Sequence, residues 1–134
     1  MSKLFKIDMN IDISECTLES GFLKKPVDKE IDIKEYKERT APEVFSFLCE
    51  AGIVGANPKV NYEQGLTLRK LIKELINAEK KGEFITNKTS ISILINSIKV
   101  TATWPNKDEI FDVLEQIINK LNTAEEIKNE QGIN

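Results

Sequence analysis

Histidine is absent from this 134-residue chain, which removes the commonest general base and the commonest metal ligand from any account of its function. Arginine is scarce: only Arg39 and Arg69 accompany the many lysines, which weakens the case for bidentate recognition of phosphate or carboxylate. The two cysteines, Cys16 and Cys49, are too few for a disulfide framework, so reduced structural thiols and a cytoplasmic location are expected. No apolar run is long enough to span a bilayer. The opening residues, Met1 to Asp8, carry charges where a signal peptide would place an apolar stretch. The phosphate-binding and dinucleotide-binding glycine patterns and the Cys-x-x-Cys pair are likewise missing.

What remains is an ordinary globular composition, 40% hydrophobic and 31% charged with a net charge of −3, in a chain sized for one domain. Residues 1–122 are expected to form that domain, and the polar segment 123–134 to fray. Charge is unevenly spread, with −2 over residues 1–60, +3 over 61–105 and −4 over 106–134. The lysines, the isoleucines and the asparagines fit the coding bias of an AT-rich genome.

Along the chain, Phe5, Ile7, Met9, Ile11 and Ile13 alternate with polar residues, the mark of a strand with one buried side. A weaker alternation at Ile31 and Ile33 suggests a short second strand, pairing antiparallel with the first. Thr40, Pro42 and Glu43 predict a capped helix start, followed by Val44, Phe45, Phe47, Leu48 and Ala51 and a stop at Gly52. A second helix carries Leu68, Leu71, Ile72, Leu75 and Ile76 at helical spacing and ends at Gly82. Glu83 to Thr86 can add a strand. Residues 89–104 register as a hairpin around Asn96-Ser97, with Ile91, Ile93, Ile95, Ile98, Val100 and Ala102 on one face. The last helix is expected from an Asn106 cap through Ile110, Phe111, Leu114, Ile117, Ile118 and Leu121. The fold class is therefore α+β, an antiparallel β-sheet of three to five strands packed on one side by about three helices.

Candidate chemistry is sparse. Asp8 and Asp12 share a strand face but lie roughly 13 Å apart if the strand is regular, too far to chelate one ion. Asp28, Glu30 and Asp32 repeat that pattern, and solvated faces explain both. Cys49 lacks a histidine to activate it and fits core packing, and Cys16 follows the strand as a second structural thiol. No catalytic residue, cofactor or metal is expected.

Two surfaces remain. The hydroxyl face of the hairpin, Ser90, Ser92, Thr101 and Thr103, offers a flat partner-binding surface with little charge, with Trp104 at its edge as either an anchor or a core residue. The second helix gathers Arg69, Lys70, Lys73, Lys80 and Lys81, diluted by Glu74 and Glu79. Across residues 41–104 the order of two helices and a hairpin resembles the winged-helix family, which implies a helix in a DNA groove beside a β wing. Against that stand the long Gly52–Asn61 connection, a hairpin with only Lys99 as a basic residue, and an acidic chain. The reading reached is a non-enzymatic, cytoplasmic protein–protein interaction module, an inhibitor, immunity or accessory protein of a bacterium or phage. It would bind another protein or itself as a homodimer, and no membrane; nucleic-acid binding through helix 66–81 and hairpin 89–104 is the alternative.

Overall fold

A short sheet built from distant parts of the chain anchors the molecule, in a computed structural model that describes residues 3–17, 21–26, 36–102 and 104–127. Strand β1 (Leu4–Asp8) pairs antiparallel with β4 (Glu83–Asn87), from Leu4 opposite Asn87 to Asp8 opposite Glu83. On its other side β1 pairs with β5 (Glu125–Glu126), giving the order β4-β1-β5. Alternation puts Phe5, Ile7, Phe84 and Thr86 on the packed face and Leu4, Lys6, Asp8 and Ile85 on the other. A separate two-stranded sheet joins β2 (Lys24–Pro26) to β3 (Tyr36–Glu38).

The first strand ends earlier than the alternation suggests. Asp8 turns the chain by accepting the Asn10 backbone N–H on Oδ1 at 3.0 Å, an Asx turn. Met9 and Ile11 still bury their side chains. The chain here is held by Gln116, whose Oε1 accepts the Asp12 N–H and whose Nε2 donates to the Asp12 carbonyl, both at 2.7 Å. That side-chain amide stands in for a neighbouring strand. The strand expected around Ile31 lies outside the described residues. The segment expected to fray contributes β5, which adds the third strand.

Among the described residues, four α-helices complete the fold. Helix α1 (Ala41–Ala56) opens with the expected capping box: the Glu43 N–H donates to Thr40 Oγ1, and the Thr40 N–H to Glu43 Oε1. It does not stop at Gly52. A Cβ there would lie 3.3 Å from Cγ1 of Ile98, so this glycine allows close approach of a neighbouring helix, and one more turn follows. Helix α2 (Tyr62–Ala78) starts from a second capping box, Asn61 with Gln64. The turn after it closes at Gly82, whose φ of +70° suits the absent side chain.

The hairpin expected over 89–104 is instead helix α3 (Lys88–Val100). Asn87 caps it, its Oδ1 accepting the Ser90 N–H at 2.8 Å. Ile91, Leu94 and Ile98 face inward at helical spacing and pack against α1 beside Gly52. Helix α4 (Asp108–Asn122) buries Ile110, Val113, Leu114, Ile117 and Leu121. Its N-cap position is Lys107, not Asn106, and makes no side-chain cap; Asp108 and Glu109 in its first turn complement the helix dipole. Phe111, expected inside, is 46% exposed. One core cluster joins both the sheet and the helices.

Candidate interaction surface

Helix α3 dissolves the hydroxyl face expected of a hairpin. Ser90 and Ser92 sit two residues apart on a helix, about 200° around its axis, and share no surface. Ser90 is half-buried at the first turn and Ser92 is exposed. Thr101 is buried at the end of α3, its hydroxyl within reach of the Gly52 and Ser97 carbonyls at 2.7 and 2.6 Å. It is a structural residue. Thr103 lies outside the described residues. The β wing implied by the winged-helix resemblance is absent for the same reason.

The acids and thiols also find structural places. Hydrogen bonds, the Asn10 backbone N–H foremost, hold the Asp8 carboxyl below its ordinary value, and Lys120 pairs with it at 3.2 Å. Ser14 does the same for Asp12. Cys49 is fully buried, and that burial pushes its thiol well up. Burial first, then Glu109 and Asp112, raises Cys16. Among the described residues no cluster of acids and cysteines is arranged to hold a metal ion. Asp28, Glu30 and Asp32 lie outside them.

The basic residues of α2 behave differently. Leu71 and Leu75 are buried, with Leu68 and Ile72 half-buried beside them, and these four make the inner face. The outer face is a second periodic stripe: Tyr62, Leu66, Arg69, Lys73 and Ile76, spaced by four, three, four and three residues, with Lys80 next in the turn. Tyr62 is 80% exposed, and Leu66 and Ile76 are nearly half exposed. Ile76, expected on the core face, belongs to this stripe. Lys70 and Lys81 are exposed further round the helix.

Alongside the stripe, α1 and α2 enclose an open groove of about 480 Å³. Its apolar lining includes Ile53, Val54, Val60, Leu68 and Ile72; Glu50 stands on the α1 rim and Arg69 and Lys73 on the α2 rim. Val54, 62% exposed, reaches the surface because α1 continues past Gly52. Of the ten large apolar side chains exposed among the described residues, five (Val54, Val60, Tyr62, Leu66 and Ile76) lie on this groove and stripe. Exposed apolar side chains scattered singly are ordinary; these five lie on two adjoining elements and the loop between them.

Two cations stand between the groove and the stripe. Arg69 and Lys73 have no acid three or four residues away on α2, and among the described residues neither forms an ion pair. The Arg39 guanidinium stacks on Phe47 at 4.1 Å from the ring centre, and the charges of Glu79 and Glu50 favour its protonated form. Burial nonetheless lowers the Arg39 pKa overall.

A second cleft, of about 500 Å³, opens between the end of α3 and α4 beside Trp104 and Phe111. The half-buried Trp104 donates its indole N–H to the Ile98 carbonyl at 2.9 Å, so it serves both core and surface. Its rim carries Lys99 and Glu115, of opposite sign.

Val54, Val60, Tyr62, Leu66 and Ile76 escape a reading of the sequence that looks for one apolar face per helix. The four-three spacing of the second stripe was the available signal. In comparison with known proteins, no family model, no curated protein and no solved structure gives a match to this chain.

Proposed function

We propose that the protein is a non-enzymatic protein–protein interaction module that docks a partner on the α1–α2 groove and the outer stripe of α2. The observation that carries this reading is that, of the ten large apolar side chains exposed among the described residues, Val54 and Val60 line the groove and Tyr62, Leu66 and Ile76 lie on the stripe beside it, with Arg69 and Lys73 between, neither of which forms an ion pair among the described residues. Interfaces combine an apolar centre with a polar rim, and this surface has both. The role is that of an inhibitor, immunity or accessory protein, acting in a reducing cytoplasm where Cys16 and Cys49 stay unpaired.

A nucleic-acid reading draws on one observation: Arg69, Lys70, Lys73, Lys80 and Lys81 are all exposed on or just after α2. It is the weaker of the two, because Ile76 stands among those cations and Leu66 precedes them on the same stripe, and neither side chain has a donor for a phosphate backbone.

A photo-activated crosslinking residue in place of Leu66 tests the interaction reading in cells of the native source. A discrete protein adduct is expected from position 66 and none from position 115, on the rim of the second cleft. No adduct at 66, or the same adducts at both positions, would remove the assignment.

A further inference from the structure

The stripe and groove carry information about what they bind. We infer that the partner presents an acidic amphipathic helix, laid lengthwise along α2 with its apolar ridge in the α1–α2 groove and its carboxylates against Arg69 and Lys73. This rests on the interaction reading above and names the partner's chemistry.

Three observations support it. Arg69 and Lys73 lie one turn apart on the exposed side of a helix about 25 Å long, which gives a second helix room to lie alongside it. The groove is open and apolar, the usual receptor for the ridge of an amphipathic helix. Arg69 and Lys73 are exposed and form no ion pair among the described residues. Glu50 lines the α1 side of the groove, so the partner's acids belong on the α2 side only. Charge complementarity of this kind fixes orientation and partner choice.

A second copy of the chain would have to supply an acidic helix with a free apolar face. The chain's own acidic helix, α4, already buries its apolar face in the core.

The probe is a fluorescein-labelled synthetic helix of about four heptads, leucine at the seam and glutamate at the flanks, with a twin carrying lysine for each glutamate. Titrated with the whole protein, the glutamate peptide is expected to bind at least about tenfold more tightly than its twin. The Arg69→Glu/Lys73→Glu variant is expected to reverse that preference. Both side chains are exposed and unpaired, so its circular dichroism and thermal midpoint should match the wild type. Equal binding of the two peptides, or a variant that loses one without gaining the other, overturns the inference. So does displacement of the glutamate peptide by a short mixed-sequence DNA duplex at low salt, which would give the cations to nucleic acid. A light-scattering mass of twice the chain, halved by Leu66→Lys, would give the surface to a second copy and also overturns it. If crosslinking at position 66 persists while the charge preference fails, the interaction reading stands and the acidic helix falls; if both fail, the reading itself falls.

Discussion

Replacing Phe45 with alanine is expected to destabilise the protein by about 3–5 kcal/mol, with a thermal midpoint lower by about 10–20 °C. Phe45 has no exposed surface and sits in α1, the helix that packs against both α2 and α3. Truncation removes the transfer energy of the ring and leaves a cavity among neighbours such as Val44 and Leu48, which are themselves fixed in the core. A domain of this size has about 5–15 kcal/mol of net stability, so the variant would fold with little margin. Urea unfolding followed by circular dichroism reads the loss. A loss below about 1 kcal/mol would mean that α1 is not the centre of the core.

Ser92 supports an equally large test, in which helix and hairpin predict opposite signs. In α3 it lies in the interior, exposed, so substitution there reports on the backbone and not on packing. Proline at 92 removes a helical N–H bond and clashes with the preceding turn, at a cost of about 3 kcal/mol or more. Alanine should stabilise by a few tenths of a kcal/mol, and threonine should not, because helix propensity ranks them that way. In a hairpin strand the order of alanine and threonine would invert. Thermal midpoints of the three variants settle the sign. A threonine variant more stable than the alanine one would contradict α3.

The misreading of 89–104 has a physical origin. Its isoleucines satisfy both periods: Ile91, Ile93 and Ile95 alternate as in a strand, while Ile91, Leu94 and Ile98 recur as in a helix. Alternation and β-branching favour the strand; packing against Gly52 of α1 favours the helix, and packing prevails. The one local cue was Asn87, which reads equally as a break and as a cap. Where a cap stands beside an unambiguous apolar face, as at Thr40 and Glu43, the helix start is legible from residues alone. The α4 face is legible for the same reason, apart from Phe111.

Pairing between distant segments was not legible. Nothing local in β1 says that Leu4 lies opposite Asn87, or that the amide of Gln116 will hold the backbone at Asp12. The candidate surface was half legible. Arg69 and Lys73 stand out by charge. Their apolar neighbours do not, because periodicity shows that a stripe exists without showing whether anything covers it. Gly52 compounds the difficulty: taken as a helix stop, it hides the turn that places Val54 beside the groove.

The most direct test of the α1–α2 surface is amine-reactive footprinting of the protein inside cells of its native source, compared with the purified chain. Lys73, on the rim of the groove, is expected to lose reactivity several-fold in cells, whereas Lys99, on the rim of the second cleft, keeps it. Equal reactivity of Lys73 in both settings, or protection of Lys99 instead, would contradict the account.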